Sequence, residues 1–230
     1  MKRKPYYFLL IVITMVCGTG VYARQQAGKP EDSAYTKVIT ERSAKIVKTL
    51  GLTNAAKYDR VLQLVVNQYR NLNTIHENSK TAVTGIKQAG TAKEEQEAAI
   101  KKEEEKKNAL LKQQHDIYIA QLRKEIPDTT INKIKDGMTY SVLPITYKAY
   151  QEMLPSLTET QKQQIYTYLL EAREYAMDAE SSDKKHAMFG KYKGKINNYL
   201  SAAGFDMKKE GEEWQKRIKA QQEKKKEPAN

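Results

Sequence analysis

The sequence predicts an all-α fold, a helical bundle with a long protruding antiparallel helical hairpin. Three observations predict it. Apolar residues recur at helical spacing in nearly every segment. No run alternates apolar and polar residues with the period of two that marks a half-buried strand. One sharp break, Gly90-Thr91, separates two arms of roughly 35 residues, each long enough to make about 50 Å of helix at 1.5 Å per residue.

In order along the chain, the first helix is expected from Ser33, as N-cap, to Leu50, with Tyr35, Val38, Ile39, Ile46 and Leu50 as its apolar stripe and Gly51 ending it. Thr53 is the expected cap of the second, whose stripe Tyr58, Val61, Val65, Tyr69, Leu72, Ile75, Val83 and Ile86 persists to about Gln88. Gly90 suits the left-handed position that closes a helix, and Thr91 with Glu94 reads as a capping box opening the third. That helix reaches Ile126 and stops at Pro127. Its first half is charged, with Glu97/Lys101 and Glu103/Lys107 at i,i+4 spacing, and its second half offers Leu111, Tyr118, Leu122 and Ile126 to a core. The tip is too polar for a core and should project. Shorter helices follow: Asp128 to Asp136, ended by Gly137; Pro144 to about Leu154; one behind the capping box Thr158/Gln161; Ser182 to Ala203, closed by Gly204; and a last one capped by Asp206. One domain over 24–220, with its arm at about 54–126, and a disordered tail over 221–230 complete this organisation.

The first residues read as an export signal. Lys2, Arg3 and Lys4 precede an apolar run from Tyr6 to Val16, and Val21-Tyr22-Ala23 suits a cut after Ala23. The run falls short of the roughly 20 residues a spanning helix needs, so no stable membrane span is expected after cleavage. The one cysteine, Cys17, lies inside this signal, behind Met15 and Val16 rather than the small residues of a lipid-anchored precursor. A mature chain without cysteine excludes disulfides and thiol chemistry. Cleavage lowers the net charge from +12 to +9, with three basic residues removed. Export turns a basic balance away from nucleic acid and toward acidic polysaccharides, lipid surfaces or acidic proteins.

No metal, phosphate or nucleophile signature is present: no H-E-x-x-H, no P-loop, no G-x-S-x-G, and His76, His115 and His186 are far apart in sequence. No cofactor and no metal are implied. Glu171, Glu174 and Asp178 share a helix face, where a solvated face explains them better than paired catalytic carboxylates. Arg173 falls near the apolar arc and needs an acidic partner or a path to solvent. His76, beside Leu72 and Tyr69, reads as a hydrogen-bonded core histidine. The least expected stretch is 185–198, KHAMFGKYKGKINN. His186, Gly190, Lys193, Gly194 and Asn197 line one edge of its core stripe, with Lys191 and Tyr192 beside them. Each helix-interior glycine costs about 1 kcal/mol against alanine, so either a neighbouring helix or a ligand approaches closely there. For a ligand, an imidazole, ammonium groups, an amide and a stacking ring at Tyr192 suit hydroxyls plus a carboxylate, as in a uronic-acid sugar.

The stretches LGLTNAAKYDRV, KDGMTYSVLP and LLEAREYAMDAESSDKKHAMFGKYKGKINNYLSAAGFDMKK resemble a family of exported Bacteroidota proteins, domain of unknown function 3826, described as sugar-binding. The resemblance runs from about Tyr35 to Trp214 and implies an exported carbohydrate-binding protein of polysaccharide utilisation, without supplying catalytic residues. A looser resemblance is to periplasmic helical chaperones carrying L-T-x-x-Q, matched at Leu157-Thr158-Glu159-Thr160-Gln161 but not at Leu52-Thr53-Asn54-Ala55-Ala56. The functional expectations therefore run in this order. First comes a non-catalytic binder of carbohydrate, in its sharper form acidic. Second is a chaperone or protein-interaction module using the hairpin arm. Third is a glycan-active enzyme with Glu171, Asp178 or His186 as acid or base.

Overall fold

The computed structural model describes residues 30–226, so the expected signal over 1–23 lies outside them. Among the described residues there are eight helices and no strand: α1 (Pro30–Lys48), α2 (Ala55–Gln88), α3 (Lys93–Arg123), α4 (Asp128–Met138), α5 (Val142–Met153), α6 (Glu159–Met177), α7 (Ser182–Ala202) and α8 (Met207–Lys226). No helix among them is long and apolar enough to cross a membrane.

Two apolar clusters organise the bundle. In the first, Ile39, Ile46 and Val47 of α1 meet Val61, Val65 and Tyr69 of α2, Tyr118 and Leu122 of α3, and Ile131, Ile134 and Met138 of α4. In the second, Leu143 and Tyr150 of α5 pack with Ile165, Leu169, Ala172 and Ala176 of α6 and Phe189, Tyr192, Ile196 and Leu200 of α7. Met177, at the end of α6, reaches into the first cluster and joins the two. Each fully buried large side chain contributes roughly 1.5–3 kcal/mol, so these stripes outweigh any one cap. Arg217 of α8 ties that helix to the end of α5 by donating to the carbonyls of Glu152 and Met153 at 3.2 and 2.9 Å.

The hairpin forms as expected: α2 ends at Gln88, Gly90 turns the chain at φ +68°, and α3 returns along α2. From Thr84 to Leu110 no residue is buried, so the tip projects. Its detailed polar contacts differ from expectation. The Thr91/Glu94 box does not form, because α3 starts one residue later behind Ala92. The ion pairs are Lys93–Glu97 at 3.8 Å and Lys106–Glu103 at 3.4 Å rather than Glu97/Lys101 and Glu103/Lys107. On so exposed a surface such pairs contribute roughly 0–1 kcal/mol, too little to fix one arrangement by sequence.

Other boundaries shift for identifiable reasons. Helix α1 starts at Pro30, a residue suited to the first helical turn, so Ser33 lies inside the helix. Val38 is 53 % exposed and Val47 takes its place in the core. Asn54, not Thr53, caps α2, its side chain accepting from Lys57 N at 2.9 Å. Helix α8 continues to Lys226, because QQEKKK is made of good helix formers; residues 221–226 are thus helical rather than disordered. The Thr158/Gln161 capping box is present in both directions.

Gly137 does not end α4. It lies inside the helix, where a Cβ would stand 2.8 Å from Cγ2 of Ile46. The missing side chain lets α4 close onto α1. The stop comes at Tyr140 and Ser141, both left-handed at φ 57° and 56°, where Ser141 N–H donates to Asp136 O at 2.8 Å. Such a conformation costs a non-glycine residue roughly 1–2 kcal/mol. It brings α5 in at Val142, two residues before the expected Pro144.

Candidate functional site

The bundle holds a cleft of about 920 Å³ between the middle of α3, the end of α6 and the first half of α7, with His76 of α2 at its base. Local sequence builds it. Helix α6 ends at Asp178, and Ser181 caps α7 by accepting from Lys184 N at 3.2 Å. This short turn makes α6 and α7 an antiparallel pair. The last carbonyls of α6 lack helical partners, and two side chains supply them. Lys185 donates to Met177 O at 2.9 Å, and His76 Nε2 donates to Asp178 O at 2.8 Å. Burial pushes the Lys185 ammonium down to about 8, against the pull of Asp178.

Asp178 is thereby fixed at the floor, and a charged network forms around it. One carboxylate oxygen accepts from His115 Nδ1 at 2.6 Å and the other from Gln68 at 3.3 Å, while Gln114 donates to Gln68 at 2.8 Å. His115 Nε2 stands 3.3 Å from Glu174. Glu174 also takes Lys135 at 2.5 Å and lies 3.6 Å from Arg173. Arg173, 3 % exposed, binds Asp136 and Asn132 at 2.7 Å each. The hydrogen bonds to Asp178 and then Glu174 raise His115 from 6.5 to about 9, outweighing its burial, so it is an imidazolium at neutral pH. Burial alone would push Glu174 up; His115 and Lys135, together with the Arg173 charge, overcome it and hold the carboxyl at about 2. The cations His115, Lys135 and Arg173 thus balance the anions Asp136, Glu174 and Asp178. Arg173 is the buried member, so taking its anions away leaves a buried charge unpaired, the costly case, whereas the half-buried members keep some access to water.

Above this floor the walls differ in character. Tyr175 is 57 % exposed and its ring leans on Tyr192, centroids 6.5 Å apart at 26°. Leu111, Ala187 and Met188 give apolar patches. Lys112 is paired with Asp116 at 2.6 Å, whereas Lys107, Lys184 and Lys191 have no ion pair among the described residues. A ring face, apolar patches and ammonium groups around a concave space can hold a small polar ligand that also carries apolar faces and negative charge.

Of the seven residues singled out by sequence, only Lys191 lines the cleft. Tyr192 is buried in the second cluster and backs Tyr175 instead of facing a ligand. His186, Gly190, Lys193, Gly194 and Asn197 do share one edge of α7, but not the cleft. His186 stacks on Tyr140 with centroids 5.5 Å apart, and Tyr150 Oη donates to Asn197 at 2.7 Å and to Lys193 O at 3.4 Å. Nothing lies within 4 Å of a Cβ built at Gly190 or Gly194, so no neighbouring helix accounts for the glycines. Among the carboxylates, Glu171 is exposed beside Lys195 as a solvated face requires. Glu174 and Asp178 correct that expectation, because α3 covers their side of α6. Arg173 has the acidic partner it needs, and His76 is the hydrogen-bonded core histidine expected. Sequence patterning does not single out His115, Gln68 or Tyr175. For His115 a signal exists: it sits within the stripe Leu111, Tyr118, Leu122 at helical spacing.

No curated protein matches this chain. A family model does, over residues 36–220, which span the cleft, the hairpin and nearly all of the described bundle. The chain belongs to the family described as Protein of unknown function (DUF3826).

Proposed function

We propose that this protein is an exported, non-catalytic carbohydrate-binding protein that takes an acidic glycan, of the uronic-acid kind, into the cleft between α3, α6 and α7. The observation that carries the reading is the exposed ring of Tyr175, braced by Tyr192 at the mouth of a 920 Å³ cleft whose walls carry three ammonium groups without ion pairs among the described residues. A braced aromatic face suits the apolar face of a sugar ring, and the ammonium groups suit carboxylates. The non-catalytic part rests on the floor. Both ring nitrogens of His115 are engaged by carboxylates, and Glu174 is held ionised, so neither is free to exchange a proton with a substrate. His186 lies on the other edge of α7 and cannot assist.

A glycan array followed by calorimetric titration tests this. Uronic-acid glycans should bind without turnover, and Tyr175→Ala should weaken binding about ten-fold, an energy of about 1.4 kcal/mol. Product formation would move the protein to the glycan-active enzymes, and an empty array would end the carbohydrate reading. Export is tested by the mass of the cell-envelope protein, expected to begin at residue 24.

The interaction-module reading keeps one observation in its favour. Leu110 and Ile117, seven residues apart on α3, are 41 % and 44 % exposed. Cross-linking in intact cells that captured a partner through position 110 or 117, with Tyr175→Ala silent, would favour it.

A further inference from the structure

The distribution of charge along the cleft extends the carbohydrate-binding reading, on which it rests, to the length and charge of the ligand. Lys184 and Lys191 lie seven residues apart on α7 and both line the cleft. Two turns of helix separate them, about 10.5 Å at 1.5 Å per residue, on the same face. Between them on that face are Ala187 and Met188, which also line the cleft. The wall therefore reads ammonium, apolar floor, ammonium. Across from it on α3, Lys107 and Leu111 repeat one half of the same order. The acidic groups in the cleft do not cancel this pattern. Asp116 is occupied by Lys112, and Glu174 and Asp178 are taken by the half-buried network, which leaves Glu180 at the α6–α7 turn as one carboxylate against three ammonium groups without ion pairs among the described residues.

We infer that the ligand is an oligomeric stretch of an acidic polysaccharide lying along α7, with two carboxylates on separate sugars held by Lys184 and Lys191 and intervening sugar faces on Ala187 and Met188. A single uronic acid carries one carboxylate and cannot reach both ammonium groups. A chain that engages one lysine presents its next carboxylates to the other at high effective concentration, so affinity rises with length until both are filled. The class of ligand is set by this spacing: regularly repeated negative charge on a backbone with apolar faces. An acidic polypeptide has the charge without the sugar faces.

Oligogalacturonates of one to six residues, titrated into the purified protein by calorimetry, test the inference alongside carboxyl-reduced oligomers and poly-glutamate. Trimer and longer oligomers should bind at least about ten-fold more tightly than monomer. Lys184→Ala and Lys191→Ala should each lower the affinity for the longer oligomers about ten-fold while leaving the weak monomer binding within about two-fold. Both sites are exposed, and unchanged circular dichroism melts would show that the variants fold. Affinity independent of length, or equal binding of carboxyl-reduced oligomers, would overturn the inference while leaving the carbohydrate reading in place. Poly-glutamate binding as tight as the hexamer would overturn it in favour of acidic protein. Absence of binding to every sugar, reduced or not, would remove both.

Discussion

Helix α7 has two edges, and they differ in what stands behind them. The edge with His186, Gly190, Lys193, Gly194 and Asn197 is conspicuous in sequence, yet its glycines open onto nothing within 4 Å. The edge with Lys184, Ala187, Met188 and Lys191 is ordinary in sequence, yet it walls a cleft whose floor is a set of paired, half-buried charges around the buried Arg173. Two glycines report that a backbone is bare. They do not report that anything is concave beside it. Concavity here is made by α3 and α6, which come from elsewhere in the chain.

The largest expected effect tests whether the charged floor supports the cleft edge. Arg173→Ala leaves the half-buried Asp136 and Glu174 short of a partner and should cost about 3 kcal/mol in urea unfolding, the low end for a buried pair because both carboxylates keep some water. A loss below about 1 kcal/mol would mean that the floor is hydrated and that the two edges differ less than the burial of Arg173 implies.

The second test is pH. His115 has a folded pKa of about 9, above its ordinary 6.5. Its contribution is therefore fully present below about pH 6.5 and is lost as pH rises through about 9, by at most about 3 kcal/mol at 1.36 kcal/mol per unit. Glu174 has the opposite sign: held at about 2, its contribution is present above 4.5 and lost as pH falls toward 2. Chemical unfolding of wild type and His115→Gln across pH 5–10 should show curves that converge at the alkaline end. Parallel curves would detach His115 from the stability of the floor.

How much of the molecule is legible in its sequence depends on the range of each interaction. Helix spans, the hairpin and its turn depend on neighbours a few residues away, so the stripes of α2 and the Thr158/Gln161 box are legible. Gly137 is the instructive exception. It reads as a helix stop, but its reason is Ile46, 91 positions earlier, and the stop passes to Tyr140. The site is less legible for the same cause. His115 pairs with Asp178 across 63 residues and Arg173 with Asp136 across 37. The need of Arg173 for an anion is visible in the sequence, but not which one. Tyr175 cannot be singled out among fifteen tyrosines without knowing where the cleft opens.

Gly137→Ala measures a glycine that does admit a neighbour. Its Cβ would press on Ile46, so α4 must withdraw from α1, and an overpacking loss of about 1–3 kcal/mol is expected in thermal unfolding. Ile46→Ala removes both Cγ atoms that the new Cβ would meet, so Gly137→Ala should cost less in the Ile46→Ala background than in wild type. An unchanged melt for Gly137→Ala alone would show that Ile46 rotates away freely.

The smallest effect has the opposite sign and decides between the edges most directly. Gly190 and Gly194 are helix-interior positions with open space where a Cβ would be, so nothing in the fold resists a methyl group there. Alanine reduces the entropy the chain loses on forming the helix, and each substitution should stabilise by roughly 0.5–1 kcal/mol. Oligogalacturonate affinity should not move, because the cleft lies on the other edge. A gain in melting temperature with unchanged binding is the outcome expected of a vacant glycine edge. Lost binding without lost stability would place the ligand on the bare backbone beside His186 and Asn197, and the cleft would then need another occupant.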